Sequence, residues 1–241
     1  MGFDQTGCNS YKEVFQKEKY KLMLLDMDGT LYYQRKMQIL MGLEMVGFAI
    51  CHPASLWKLR TISVFRKIRE AAGDEWAENE KNRVKTADEG KEGLLYKHFE
   101  KTAEKMGKTT EEVAHVIEEW MFKRPLKHMS ACRDSFLCEK VAEWRNKGKK
   151  VVVYSDYPAK EKCNALGIMP DGVYSSEQEN IGKMKPSAKA VEVIAEDFSM
   201  EKEAMLAVGD RYSKDGKMAE YAGIDYLILE KWYLKRRKKW N

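Results

Sequence analysis

The chain has 241 residues, 44% of them hydrophobic, with 43 Lys/Arg against 38 Asp/Glu, which suits one large domain or a core carrying a second module. Six of the basic residues and one acid, Glu230, lie in residues 230–241, so the body is charge-balanced and the net charge of +5 belongs to a tail, which argues against a nucleic-acid binder. The five cysteines (Cys8, Cys51, Cys132, Cys138, Cys163) are odd in number and show no Cys-x-x-Cys spacing, which points away from a disulfide framework or zinc site and towards reduced thiols in a cytoplasmic protein. The most apolar run, 39–51, is interrupted by Glu44 and too short to cross a bilayer.

Residues 11–19 read as a short amphipathic helix with Val14 and Phe15 turned to the core. The stretch 21–32, KLMLLDMDGTLY, is the most informative in the chain. Its apolar run 22–25 has the length of a buried strand and ends in Asp26 and Asp28, followed by Gly29 and Thr30. In open α/β sheets the C-terminal strand edge is where ligands bind. A polar connection, 33–36, leads into about ninety residues of helical spacing. There Ile39, Leu43, Val46 and Ile50 share a face while Met41, Met45 and Phe48 make other faces apolar, which predicts a helix buried on more than one side. Pro53 closes it. Residues 54–72 follow as a basic amphipathic helix, with Leu56, Leu59, Ile62, Phe65 and Ile68 inside and Lys58, Arg60, Arg66, Lys67 and Arg69 as a solvated face. The polar stretch 73–93, with Trp76 its large apolar residue, reads as a mobile link or weakly held helix. Residues 94–106 form a helix, and Thr109 with Glu112 makes a capping box opening another that runs to about 123 and ends at Pro125.

From Arg133 helix and strand alternate, the pattern of a parallel sheet. Helices are expected at 136–147, 161–166, from Pro186 to 196, and at 214–222; strands at 149–154, 173–174, 204–208 and 226–229. Three strand ends are polar: Asp26 and Asp28, then Ser155 and Asp156, then Asp210 with Asp215 beyond it. Lys185 lies between the last two. Parallel neighbours would gather these groups in one crevice, where crowded carboxylates repel and a hard, oxygen-seeking cation such as Mg²⁺ relieves the repulsion. The same set holds the parts for phosphoryl transfer: a carboxylate nucleophile, a second carboxylate for proton transfer, and an ammonium and hydroxyl for the phosphate.

DMDGTLY, VVVYSD, the KP of GKMKPSAKA and VGDRYSKD, in that order, resemble the four motifs of the haloacid dehalogenase-like hydrolases. The resemblance implies an α/β fold, a Rossmann-like parallel-sheet core from 1–36 and 131–241 with an inserted all-helical cap at 37–130. By position it implies Asp26 as nucleophile and Asp28 as general acid/base. Ser155, Asp156 and Lys185 would bind the substrate phosphate, and Lys185 would also be catalytic by stabilising the nucleophile, with Lys183 the alternative lysine. Asp26, Asp28 (through its carbonyl), Asp210 and Asp215 would hold Mg²⁺. The implied activity is a Mg²⁺-dependent phosphatase acting on a small phosphorylated metabolite through an aspartyl-phosphate; a sugar phosphomutase using the same intermediate, or a non-catalytic binding protein on the same fold, stays open. No nucleic-acid or membrane partner is implied, and the oligomeric state is open. Many phosphoglycolate phosphatases and sugar phosphomutases of the family have an Asp-Ser pair soon after the first motif, where this chain has Tyr33, Gln34, Arg35 and Lys36, which sets it apart from those subgroups. In the dehalogenase branch the second acidic position is not retained, so Asp28 argues for phosphate over halide. Arg35, Lys36 and Arg124 read as exposed residues at the cap junctions, and the four histidines receive no chemical role.

Overall fold

The computed structural model describes residues 11–81, 93–232 and 235–236. Cys8, most of the expected link at 82–92, and Tyr233 and Trp240 of the tail lie outside the described residues. The framework is a five-stranded, all-parallel sheet: β1 (Leu22–Asp26), β2 (Lys150–Ser155), β3 (Gly172–Ser175), β4 (Met205–Gly209) and β5 (Asp225–Ile228), in the order β3-β2-β1-β4-β5. The order reverses between β1 and β4, the topological switch point of a doubly wound, Rossmann-like sheet.

The apolar run of β1 exists because both faces of the sheet are covered. Side chains alternate along the strand: Met23 and Leu25 join Val151, Val153, Leu206 and Val208 on one face, while Leu22 and Leu24 join Val152, Tyr154, Met205 and Ala207 on the other. The first face is packed by α1 (Tyr11–Gln16), α7 (Ser135–Asn146) and α8 (Lys160–Leu166) through Val14, Phe15, Val141, Trp144 and Leu166. The second is packed by α9 (Lys189–Asp197) and α10 (Lys217–Ala222) through Val191, Ile194, Met218 and Ala219. Each fully buried β1 side chain contributes about 1.5–3 kcal/mol of transfer free energy.

Between β1 and α7 the chain inserts α2 (Gln34–Cys51), α3 (Trp57–Lys81), α4 (Leu94–Met106), α5 (Thr110–Ile117) and the short α6 (Met129–Cys132). This layer has its own core, in which Ile62, Phe65, Phe99, Val113, Ile117 and Trp120 are buried. The capping box forms as its spacing requires: Glu112 N–H donates to Thr109 Oγ1 at 3.2 Å and Thr109 N–H to Glu112 Oε2 at 3.0 Å.

Several expectations for the insertion are corrected. Ile39, Leu43, Val46 and Ile50 are 55%, 68%, 60% and 75% exposed; α2 turns Met41, Met45 and Phe48 to the insertion core instead. Leu56 and Leu59 are exposed as well, so the inner stripe of α3 begins at Ile62. Arg69, expected on a solvated face, is fully buried. Of the two readings for 73–93, a mobile link or a weakly held helix, the described part is helical: α3 continues to Lys81, where Trp76 packs with Leu94 and Met184, and Gly73 lets Lys214 approach, since a Cβ there would collide with the Lys214 ammonium. Pro125 does not end the helical path, which passes through a π-helical turn (Glu118–Lys123) and a 3₁₀ turn (Arg124–His128) into α6. Helix α9 starts at Lys189 rather than at Pro186, since the segment before it is a turn, with Ser187 N–H donating to the Met184 carbonyl at 3.0 Å. After β5, strands β6 (Lys231–Trp232) and β7 (Lys235–Arg236) pair antiparallel in a region expected to be a simple tail. No helix among the described residues is long and apolar enough to cross a membrane, and no disulfide joins the described cysteines.

Candidate active site

The parallel register places the C-terminal ends of β1, β2 and β4 side by side, with Asp26 opposite Tyr154 of β2 and Leu25 opposite Val208 of β4. The predicted residues converge on this edge. Asp26, Ser155, Asp156, Lys185 and Asp215 are buried, and Asp28 and Asp210 are partly so.

Asp26 and Asp28, one residue apart, meet different surroundings. Asp26 Oδ1 accepts from Lys185 Nζ at 2.5 Å and Oδ2 from the Thr30 hydroxyl at 2.8 Å. Lys185 Nζ also donates to Asp215 Oδ1 at 2.7 Å. Burial pushes the Asp26 carboxyl up to about 7; Lys185 opposes this, and the like charges of Asp215 and Asp210 reinforce it. For Lys185 burial favours the neutral amine, but Asp215 and Asp26 outweigh it and hold the ammonium above its ordinary range. Oxygens of Asp26, Asp210 and Asp215 all lie within 4.8 Å of one another. Two glycines permit this crowding: Gly29 adopts φ +95°, and a Cβ on it would strike the Asp210 carboxylate, while a Cβ on Gly209 would strike that of Asp215.

Asp28 is a focus of donors. Lys162 Nζ (2.6 Å) and the Tyr32 hydroxyl (2.5 Å) reach Oδ1, and the Ser155 hydroxyl (3.1 Å) reaches Oδ2. Burial alone would raise its pKa, but Lys162, with help from Tyr32 and Ser155, holds it below the usual carboxylate value. Asp156 turns inward, its Oδ1 accepting the Lys185 N–H at 2.8 Å and so fixing the loop that presents the lysine. Of the two candidate lysines, Lys185 carries its ammonium into the site; Lys183 offers its carbonyl to the Tyr154 hydroxyl at 2.9 Å.

A cavity of about 450 Å³ opens over these groups, walled on its far side by the insertion. Arg69 joins the two layers: its guanidinium donates to the Asp156 carbonyl, to Ser176 Oγ (3.3 Å) and to Glu177 Oε1 (3.0 Å), and lies over the Tyr157 ring. Glu177 Oε2 in turn accepts Leu95 N–H at the start of α4 at 2.6 Å. His98, 3.2 Å from Arg69, is driven down to about 3 by burial and by that neighbouring charge, so it stays neutral. Arg124 pairs with Glu44 and Glu119 at 2.7 Å each, and Lys36 donates to the Ala131 carbonyl at 2.6 Å; neither lines the cavity.

Lys162, Tyr32 and Arg69 escaped sequence reasoning. Tyr32 lies inside the first motif stretch and four residues from Asp28, a spacing that could have drawn attention to it. Lys162 and Arg69 sit in helices whose basic residues look alike in sequence.

A search among curated proteins returns no match. Among solved structures, YfnB from Bacillus subtilis bound to magnesium is similar, with a TM-score of 0.55 at 14% identity over 86% of this chain and 87% of that one. A 2-haloacid dehalogenase from Pseudomonas syringae pv. Tomato DC3000 has a TM-score of 0.53 at 18% identity, covering 86% of this chain and 85% of its own. CbbY from Rhodobacter sphaeroides in complex with xylulose-(1,5)bisphosphate has a TM-score of 0.52 at 15% identity, over 92% and 90% of the two chains. These likenesses show a shared fold. The family model for haloacid dehalogenase-like hydrolases matches residues 20–223, spanning the ends of β1, β2 and β4 that carry the site, and the chain belongs to that hydrolase family.

Proposed function

We propose that this hydrolase is a Mg²⁺-dependent phosphatase that cleaves a small phosphomonoester through an aspartyl-phosphate on Asp26, with the insertion at 37–130 acting as a cap over the core from 1–36 and 131–241. The observation that carries this reading is the division of labour at the end of β1, where Asp26 joins a cluster of carboxylates around one ammonium and Asp28 is surrounded by donors.

The donor set fits the ion. Asp26, Asp210 and Asp215 are all oxygen donors within one small volume, and Lys185 offsets only part of their charge, which suits a hard divalent cation. The Asp28 carbonyl would join the set. Bound there, Mg²⁺ would withdraw charge from the phosphoryl oxygens.

The chain's own groups supply the rest. A carboxylate oxygen of Asp26 forms a bond to phosphorus while the bond from phosphorus to the alcohol oxygen breaks. Lys185 orients Asp26 and places positive charge beside the transferring oxygens. The Ser155 hydroxyl and the backbone at Asp156 orient the phosphate; the Asp156 carboxylate is committed to Lys185 N–H. Asp28 is ionised in the resting site, and the arrival of a phosphate dianion beside it raises its proton affinity, so that it can protonate the leaving oxygen. Asp28 then takes a proton from the water that attacks phosphorus, which releases inorganic phosphate and frees Asp26.

Halide needs no proton on leaving, whereas an alkoxide gains from one; the presence of a second carboxylate, Asp28, beside Asp26 therefore favours phosphate over the haloacid reaction named for the Pseudomonas structure. The magnesium in YfnB and the sugar bisphosphate in CbbY are compatible with it. The test is a screen of phosphorylated metabolites for phosphate release with and without Mg²⁺, with a chloroalkanoic acid as the competing substrate. Phosphate release that vanishes on chelation is expected; halide release would overturn the reading.

A further inference from the structure

The cavity over the catalytic edge is polar on one side and apolar on the other. Its interior wall from the insertion is formed by Met41, Met45, Ile62, Trp120 and Phe122, met from the core side by Tyr157. These side chains are buried or half-buried, whereas the polar residues that the insertion contributes from Gln34, Gln38, Arg66 and Glu70 are all exposed and form the rim. Of the cations that line the cavity from below, Lys162 is held by Asp28 at 2.6 Å, Arg69 by Glu177 at 3.0 Å and Lys214 by the Lys185 carbonyl at 3.3 Å, while Arg211 is exposed and adds to the rim. Beyond the phosphate position, therefore, the interior offers few hydrogen-bonding partners to a ligand. A polyhydroxylated ligand would leave its hydroxyls unpaired against sulfur and aromatic carbon, a loss that a site lined this way cannot recover.

From this wall we infer that the alcohol portion of the substrate is apolar, an aryl or branched alkyl group, and that sugar and polyol phosphates are discriminated against. The inference rests on the phosphatase reading for the reacting end of the ligand. At about 450 Å³ the cavity lies within the range of small-molecule sites and holds a phosphate with a ring-sized body attached. The thioethers of Met41 and Met45 adapt to different shapes, so a family of related apolar esters should be accepted.

The experiment compares 2-phenylethyl phosphate with ribose 5-phosphate. Both leave as primary alcohols, so leaving-group chemistry is nearly matched and the body of the ligand decides. With Mg²⁺ present, kcat/KM for the phenylethyl ester is expected to exceed that for the sugar ester by about tenfold or more. Binding of 2-phenylethyl phosphonate and of a ribose-derived phosphonate, measured by calorimetry on the Mg²⁺-containing protein, gives the same ranking without any turnover. The half-exposed Met41, changed by Met41→Gln, should shrink the preference in both assays with the protein still folded by circular dichroism. Equal or better turnover or binding of the sugar compounds would overturn the inference while leaving the phosphatase reading intact. Absence of phosphate release from either ester, with the phosphonate preference preserved, would overturn the phosphatase reading alone.

Discussion

The edge of the sheet and the helical insertion above it handle charge in opposite ways. At the edge, carboxylates and ammonium groups are buried and each is held by another: Lys185 bridges Asp26 and Asp215, and Lys162 meets Asp28. In the insertion, charges stay mainly at the surface, while an apolar stripe on α2 is left exposed. Where buried charges define one another, changing one disturbs all its partners. Where contacts are apolar and adaptable, a change alters fit by degrees. Substitutions at the edge should thus abolish chemistry, and substitutions in the insertion should tune it.

The largest effect should come from Asp26→Asn, since an amide cannot form the acyl-phosphate; phosphate release should fall by about 10⁴-fold or more. Trapping with beryllium fluoride should mark Asp26 in the parent protein, and labelling elsewhere would break the assignment. Next, excess chelator should stop turnover, and Asp210→Ala should do the same at ordinary Mg²⁺ levels; full activity in chelator would remove the metal from the mechanism.

A third effect is on stability. Burial raises the Asp26 pKa from 3.8 to about 7, so between those values the folded metal-free protein binds more protons than the unfolded chain, and this residue's contribution declines as pH rises. Asp26→Asn removes that dependence. Its stability relative to the parent, measured by urea unfolding in chelator, should rise by on the order of 4 kcal/mol between pH 4 and pH 8. A flat difference across that range would mean that Lys185 fully offsets the burial. A fourth and smaller effect concerns Arg69, the place where the insertion adopts the strategy of the edge. Arg69→Met should cost about 3 kcal/mol, because Glu177 loses its charged partner and keeps only the neutral donors Ser176 Oγ and Leu95 N–H, while the Asp156 carbonyl keeps only Ser176 Oγ. A neutral outcome in urea unfolding would show that apolar packing alone joins the two layers.

The same contrast governs how much could be read from sequence. Strands buried on both faces are continuous apolar runs, and a carboxylate or hydroxyl ending such a run reveals both the strand and its chemical edge, so Asp26, Asp28, Ser155 and Asp210 were legible together with the sheet. Lys162 was not, because its meeting with Asp28 depends on how α8 returns across β2, a tertiary fact with no local signal. For α2 the helical period shows that Ile39, Leu43, Val46 and Ile50 share a face, but periodicity cannot say which of two apolar faces is covered; Met41, Met45 and Phe48 took the core. Arg69 lies seven residues after Ile62 and four after Phe65, so its spacing puts it on the inner face of α3, but its charge reads as a solvated residue until the partners Asp156 and Glu177 are known. Gly73 opens the polar stretch 73–93 and carries no signal of its own in sequence, yet it is the point where Lys214 passes close to α3.

The smallest expected effect tests the exposed side of that contrast. Leu43 is 68% exposed, and leucine and glutamine have similar helix propensities, so Leu43→Gln removes apolar surface that already faces water and should alter stability by less than about 0.5 kcal/mol. Phe65, buried in the insertion core against Phe99 with ring centroids 5.6 Å apart, provides the control: Phe65→Ala should cost about 3–5 kcal/mol through lost transfer energy and the cavity left behind. Both variants can be followed by urea unfolding at several protein concentrations. A cost above about 2 kcal/mol for Leu43→Gln that grows with protein concentration would mean that the α2 stripe is covered by another chain in solution, and that the insertion, like the sheet edge, hides its residues from water. A small cost, independent of concentration, would leave the stripe as solvent-facing surface and confine the insertion's energetic weight to the side that faces the cavity.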